Sequence, residues 1–165
     1  MKTLQITVGV LLVCAVLIAG CGKSDEMKKL EAGLNTEVMQ KHDELMKAMS
    51  GLDASAAEIA SVMAKHDSLA KLFPKKFAGH DATDLTAAKE KLEAAKGAMD
   101  AWMKGFKPYD PEMKHEMVME SLTKTKDELS AVEKQFQEAL GAAKDAVANH
   151  TKVMDEIAAK LPKRK

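Results

Sequence analysis

The chain has 165 residues, with 25 Lys and Arg against 25 Asp and Glu, so its formal net charge is zero. This length suits a single domain, and zero net charge argues against a nucleic-acid-binding protein, which normally carries a basic excess. Only 4% of the residues are aromatic, whereas Ala, Lys, Glu, Leu and Met are abundant. The composition disfavours a β-sheet fold and favours an all-α protein with long helices.

The N-terminal segment, residues 1–20, has the features of a signal peptide that is removed from the mature protein. Its basic residue is Lys2, and its apolar run from Ile6 to Ala19 is shorter than the ~20 residues of a membrane-spanning helix. The run ends in the sequence LIAGC at positions 17–21, which resembles the lipobox of bacterial lipoproteins. That resemblance implies acylation of Cys21 on its sulfur and its amine. An ordinary signal peptide or a membrane helix is the alternative.

Acylation at Cys21 predicts a chain that is anchored to a membrane and does not span it, because more than one acyl chain makes attachment stable. We therefore expect a location in the cell envelope, facing the periplasm or the cell surface, with the membrane as one partner. Residues 21–26 would form the lipidated cysteine and a short tether. Cys14 leaves with the signal peptide, so no free thiol remains for a disulfide, a thiolate metal site or a nucleophile.

Residues 27–161 form the predicted bundle domain, because their apolar residues recur at steps of three and four. The first helix is predicted from about residue 25 to residue 73, where Pro74 stops it. The second is predicted over about 84–106. Asp110, Pro111 and Glu112 are predicted to cap and begin the third helix, which continues to about residue 161 before a basic tail at 162–165.

The predicted helices differ in length, since the first and third have roughly 50 residues and the second roughly 23. A simple up-down-up arrangement would leave part of each long apolar seam uncovered. Either a break at Ser50-Gly51 folds the first stretch back into a four-helix bundle, or the seam binds a second copy of the chain or a partner protein. The four-helix bundle is the preferred prediction.

Methionine is unusually frequent, with 12 in the chain, and two groups of Met and His residues are candidate metal ligands. The first group shares one face of the first helix and consists of Met39, His42, Met46 and Met49. The second group lies around the turn between the second and third helices and consists of Met103, Met113, His115 and Met117. Thioether sulfur and neutral imidazole suit Cu(I).

Packing alone is the other explanation of these methionines, because Met fills irregular gaps between helices. A haem held by Met and His is chemically possible, but the chain has no C-x-x-C-H attachment motif and few aromatic residues. Histidines also occupy several positions on the apolar seam. Desolvation there would depress their pKa values, which suits a pH-sensitive assembly as well as a metal site.

Motifs that would indicate an enzyme are missing from the sequence. The residues HEMVM at positions 115–119 depart from the H-E-x-x-H zinc motif because position 119 is Met. The chain has one E-x-x-H, where a di-iron bundle needs two, and it has neither a G-x-S-x-G motif nor a P-loop. We therefore predict a protein that is not an enzyme.

The stretch EVMQKHDELMKAM at positions 37–49 and the later WMKGF at positions 102–106 resemble a family of small helical lipoproteins of Bacteroidota, often labelled viral A-type inclusion proteins. Those chains share the lipobox, an E-V-M-x-x-H-D-E-x-M-x-x-M stretch and a later D-W-M-x-x-F. Here Ala101 separates Asp100 from Trp102. The resemblance implies an envelope location and a helical fold, and it implies no reaction.

Two functions follow as hypotheses. The leading one is a membrane-anchored structural or protein-interaction module that uses its helical seam. The alternative is a lipoprotein that binds Cu(I) through its Met and His residues for buffering or sequestration.

Overall fold

The computed structural model describes residues 23–160, and within that range every regular element is a helix. We number the helices α1 to α4, and their bounds are Asp25–Leu72, Pro74–Phe77, Thr83–Gly105 and His115–Ala159. The predicted all-α bundle of long helices is therefore confirmed. The predicted signal peptide, Cys21 and the basic tail at 162–165 lie outside the described residues.

Helix α1 begins and ends where local chemistry predicts. The hydroxyl of Ser24 accepts a hydrogen bond from the backbone N–H of Met27 at 3.2 Å, and Asp25 and Glu26 place negative charge in the first turn. The helix ends at Leu72 because Pro74 follows, and the residue before a proline avoids the helical conformation. Phe73 accordingly has φ −132° and ψ 57°.

The predicted break at Ser50-Gly51 is wrong, because α1 is one continuous helix of 48 residues. The Ser50 hydroxyl donates to the backbone carbonyl of Lys47 at 2.9 Å, within the same helix. A glycine inside a helix costs about 1 kcal/mol relative to alanine. Burial of Leu45 and Leu52 on either side contributes about 1.5–3 kcal/mol for each side chain. Packing therefore outweighs the local preference for a break.

The predicted start of the third long helix at Asp110 is also wrong, since α4 begins at His115. The Asp110 carboxylate accepts a hydrogen bond from the backbone N–H of Glu112 at 2.9 Å, and the Asp110 carbonyl accepts one from Met113 at 3.2 Å. Asp110 therefore caps a separate turn. Lys114, with φ −58° and ψ 141°, is extended and separates that turn from α4.

The three long helices form an up-down-up bundle in which α1 and α4 run parallel. Glu31 lies against His115 near one end, and His66 lies against His150 near the other. Helix α3 runs antiparallel to both, since its first turn lies beside His150 and its last turn places Trp102 against His42.

Buried residues recur every seven positions along both parallel helices, which is the spacing of a coiled coil. In α1 they are Glu31, Val38, Leu45, Leu52, Ile59 and His66. In α4 they are Leu122, Leu129, Phe136, Ala143, His150 and Ile157. We call the positions at this seven-residue spacing the seven-residue register. The register is apolar along most of its length and polar towards its ends.

Helix α3 is too short to cover the whole α1–α4 pair. Trp102, in the last turn of α3, lies against His42 of α1. Within residues 23–160, no third helix therefore packs beside the part of the α1–α4 pair that lies N-terminal to His42 in α1. The segment 106–114 continues in that direction, and the Lys23 side chain donates to the Pro111 carbonyl at 2.7 Å. We call residues 25–48, 102–114 and 115–132 the N-terminal half of the bundle.

Candidate interaction surface and buried polar clusters

Exposed apolar side chains are concentrated in the N-terminal half of the bundle. Of the eight large apolar side chains that are exposed within the described part of the chain, seven lie in this half. They are Met27, Leu30, Met39, Met46, Met103, Met113 and Met117. The eighth, Leu72, lies at the opposite end of α1. Scattered exposed apolar residues are ordinary, but their concentration in one region is typical of a contact surface. We call these seven residues the methionine surface.

The first predicted metal-ligand group is divided between surface and core. Met39 and Met46 are exposed, whereas Met49 is partly buried against the core. The ring of His42 lies 5.5 Å from the ring of Trp102, and its Nδ1 atom lies 3.0 Å from a carboxylate oxygen of Asp43. Packing alone therefore does not account for Met39 and Met46.

The second predicted group is mostly exposed as well. Met103, Met113 and Met117 belong to the methionine surface, while the Nδ1 atom of His115 lies 2.9 Å from Glu31 Oε1. Among residues 23–160, no group of three or more His, Asp or Glu side chains is arranged to hold a metal ion. Ligation of Cu(I) by the Met and His groups stays a prediction.

A buried polar cluster around Glu31, which the sequence analysis missed, joins three segments in the N-terminal half. The Glu31 side chain is fully buried, and its carboxylate accepts hydrogen bonds from Lys23 at 2.8 Å and from His115 at 2.9 Å. Burial raises the pKa of Glu31, but the hydrogen bonds from Lys23 and His115 outweigh it, so the pKa lies below its ordinary value. Counting back seven residues from Val38 reaches Glu31, which is the signal that could have revealed it.

A second buried polar cluster lies at the distal end of the bundle, where the last turns of α1, the start of α3 and the last turns of α4 meet α2 and the loop 78–82. The His66 and His150 rings are 4.8 Å apart and are nearly perpendicular, at 67°. The Nε2 atom of His66 lies 3.1 Å from the His80 carbonyl oxygen, and Nδ1 lies 3.3 Å from an Asp67 carboxylate oxygen. Phe77 of α2 closes the cluster, with its ring 5.3 Å from that of His66.

His150 is poorly supplied with hydrogen-bond acceptors. Its Nε2 atom is buried and has no hydrogen-bond partner among the described residues, and its Nδ1 atom is 3.6 Å from Asp84 Oδ1. Burial lowers the pKa of His150 and the nearby His66 lowers it further, which outweighs the opposing effect of Asp84 and Asp81. The apolar spacing places several histidines on the seam, but nothing in that spacing indicates that His66 and His150 form a pair.

Two clefts flank this histidine pair. A cleft of about 350 Å³ is lined by polar residues that include Asp81, Asp84 and Asn149. A larger cleft of about 640 Å³ lies between α1 and α4 and is lined by apolar residues such as Leu69 and Met154 and by polar residues such as Ser68 and Thr151.

Comparison of the chain with protein-family models, with curated proteins and with solved structures gives no match. The fold defines the class of the protein as an all-α bundle of long helices. Over residues 23–160, none of the helices combines the length and the apolar character needed to cross a membrane. The resemblance to helical lipoproteins of Bacteroidota stays a prediction.

Proposed function

We propose that this chain is a lipid-anchored, extracytoplasmic helical module, and that its methionine surface binds a second copy of the same chain. The observation that carries the proposal is the position of that surface. Seven exposed apolar side chains lie in the N-terminal half of the bundle, and α3 ends within this half, where Trp102 lies against His42. Exposed methionines are frequent at binding surfaces because their flexible, polarisable side chains adapt to an apolar partner.

A second copy is the occupant that the geometry favours. Two parallel helices without a third leave an incomplete bundle, and the same two helices of another copy would complete it as four. Such a contact uses one surface twice and is therefore compatible with two-fold symmetry. The chain has as many acidic as basic side chains, so long-range repulsion between copies is small.

The predicted anchor would bring these surfaces together. Lys23 follows Cys21 by two residues, which span about 7 Å when fully extended. The N-terminal half would then lie next to the membrane in every copy, at the same height and with the same orientation. Confinement to one membrane also raises the effective concentration of the copies, so a modest apolar surface is sufficient for pairing.

Cross-linking of the full-length protein in its membrane tests the proposal. Leu30→Cys introduces a thiol in the methionine surface, and Leu72→Cys introduces one at the other end of the same helix; these leucines are 58% and 70% exposed. A bismaleimide is expected to join two Leu30→Cys chains and to leave Leu72→Cys chains single. Equal cross-linking at both positions, or cross-linking of Leu30→Cys only to a different protein, would contradict pairing of two copies.

The anchor is tested separately. Labelling cells with a palmitate analogue is expected to modify the wild-type chain and to leave Cys21→Ser unmodified. An unlabelled wild-type chain would refute the anchor, and it would not bear on pairing, which cross-linking of Leu30→Cys measures independently.

Cu(I) binding for buffering or sequestration is the second candidate function, and one observation favours it. Met39 and Met46 are exposed on α1 with His42 between them in sequence, so two thioethers are accessible to a soft metal ion. An anaerobic Cu(I) titration against a competing chelator tests this. Submicromolar affinity at a fixed stoichiometry that is lost in a His42→Gln, Met46→Leu, Met49→Leu variant would support Cu(I) binding, with Met27→Leu as the matched control. Absence of competition would exclude it.

A further inference from the structure

We propose that His66 and His150 form a proton-operated latch, in which the pair holds the distal end closed while His150 is neutral and opens it when His150 binds a proton. The two rings are the only polar side chains of the seven-residue register at this end, and they lie 4.8 Å apart. The inference requires neither the anchor nor the pairing of two copies.

The groups that face the pair come from every element that meets there. Helix α1 contributes His66 with Asp67 beside it, and α2 contributes the uncharged ring of Phe77. The loop contributes Asp81 and the His80 carbonyl, and α3 contributes Asp84. Helix α4 contributes His150 itself. The carboxylates lie at the edge of the cluster, and the two imidazoles lie at its centre.

The surroundings of His66 supply an oxygen to each of its ring nitrogens. Both of its ring nitrogens face oxygen acceptors, the His80 carbonyl at 3.1 Å and the Asp67 carboxylate at 3.3 Å. His66 is therefore held in position from two sides, whereas His150 is not.

The surroundings of His150 do not accommodate an added proton. A proton on Nε2 would be a buried donor without an acceptor among the described residues, next to the His66 ring, whose centre is 4.8 Å away. Asp84, at 3.6 Å from Nδ1, offsets only part of this cost. The lowered pKa of His150 agrees with that geometry.

Opening is expected to be local to the distal end. Clefts of about 350 and 640 Å³ lie at this end, and separation of α1 from α4 there has to break the packing of the apolar side chains around the pair. Opening would expose the buried Val62, Met154 and Ile157. An acidic environment would thus expose a second apolar surface, at the end opposite to the methionine surface.

Distance measurements between paired spin labels test the latch. Ser68 and Thr151 line one cleft between α1 and α4, and labels on cysteines at these positions report the distal end of the full-length chain. Labels in place of Glu37 and Lys126, whose side chains are 2.5 Å apart, report the N-terminal half. Between about pH 7.5 and pH 5, across the ordinary histidine pKa of ~6.5, the distal distances are expected to lengthen and the control distances to stay constant.

For each unit by which the pH falls, the population of the open form is expected to rise by up to about tenfold, because opening takes up one proton. His150→Leu places an apolar residue in an apolar register and is expected to abolish the lengthening, as is His150→Gln. His80→Gln keeps the backbone carbonyl of residue 80, and the distal distances of this variant are expected to lengthen as in the wild type. Distal distances that do not change with pH, or that lengthen equally in His150→Leu and in His150→Gln, would overturn the proposal.

Discussion

The Nδ1 atom of His115 lies 2.9 Å from Oε1 of the fully buried Glu31, and this contact joins the first turn of α4 to the N-terminal part of α1. Glu31 in α1 and His115 in α4 both lie at positions of the seven-residue register, whose positions further along each helix are mostly apolar. A polar pair in such a register favours one alignment of two parallel helices over shifted ones, because any other alignment buries a charge without a partner. The Glu31 cluster thus helps to set which faces of α1 and α4 remain exposed.

Replacement of Glu31 by Ala is expected to lower the melting temperature, because the substitution leaves Lys23 and His115 without their shared acceptor and opens a cavity. Glu31→Leu is expected to recover most of the loss, since an apolar side chain fits an apolar register. Thermal unfolding followed by circular dichroism measures both. Exposed Glu44 serves as the control, and an equal effect of Glu44→Ala would contradict a special role for Glu31.

Substitution of Gly51 by Ala is expected to stabilise the chain by roughly 0.5–1 kcal/mol, because alanine is the better residue inside a continuous helix. The added Cβ would meet Leu140 at 4.0 Å, an ordinary van der Waals contact. Urea unfolding measures the change. Gly79→Ala is the contrasting variant and is expected to destabilise, since Gly79 has φ +86°. Destabilisation by Gly51→Ala would indicate a bend at this point.

Substitution of Leu52 by Ala is expected to cost about 2–5 kcal/mol, because Leu52 is completely buried in the core. Leu72→Ala removes the same atoms from an exposed position in the same helix, and its effect is expected to stay within ~0.5 kcal/mol. Chemical unfolding of both variants compares them directly. Similar losses at the two positions would be inconsistent with the packing described above.

The dependence of stability on pH follows from the lowered pKa of His150, whose ordinary value is 6.5. Below pH 6.5, His150 binds a proton more readily in the unfolded chain than in the folded chain, so protonation favours unfolding. The contribution of His150 to stability is therefore complete above pH 6.5. It falls as the pH drops towards the folded value. The urea midpoint is therefore expected to decrease between about pH 7.5 and about pH 5, with a smaller decrease in His150→Leu. An identical pH dependence in the two chains would assign the effect to other groups.

The helices were predictable from the sequence because apolar residues at steps of three and four determine which face of a helix is buried. The end of α1 followed from Pro74, whereas the Ser24 cap at its start was not predicted. The continuity of α1 through Gly51 was not predictable from local preference, since it depends on burial of Leu45 and Leu52 against another helix.

The candidate sites were less predictable than the helices. The sequence singled out five of the six exposed methionines of the methionine surface, all except Met27, but it did not indicate that they are exposed. The spacing that places Met39 and Met46 on one helix face does not tell how far α3 extends. Pairing of His66 with His150 depends on the parallel alignment of α1 and α4. That alignment is a tertiary property, and residues 84 positions apart in the chain gave no local sign of it.

The central claim is tested most directly by the mass of the full-length protein extracted in a mild detergent. Sedimentation with the detergent density-matched measures that mass. Pairing through the methionine surface predicts the mass of two chains for the wild type and of one chain when Met27 and Met117 are both replaced by Gln. The mass of one chain for the wild type, at every concentration, would contradict it.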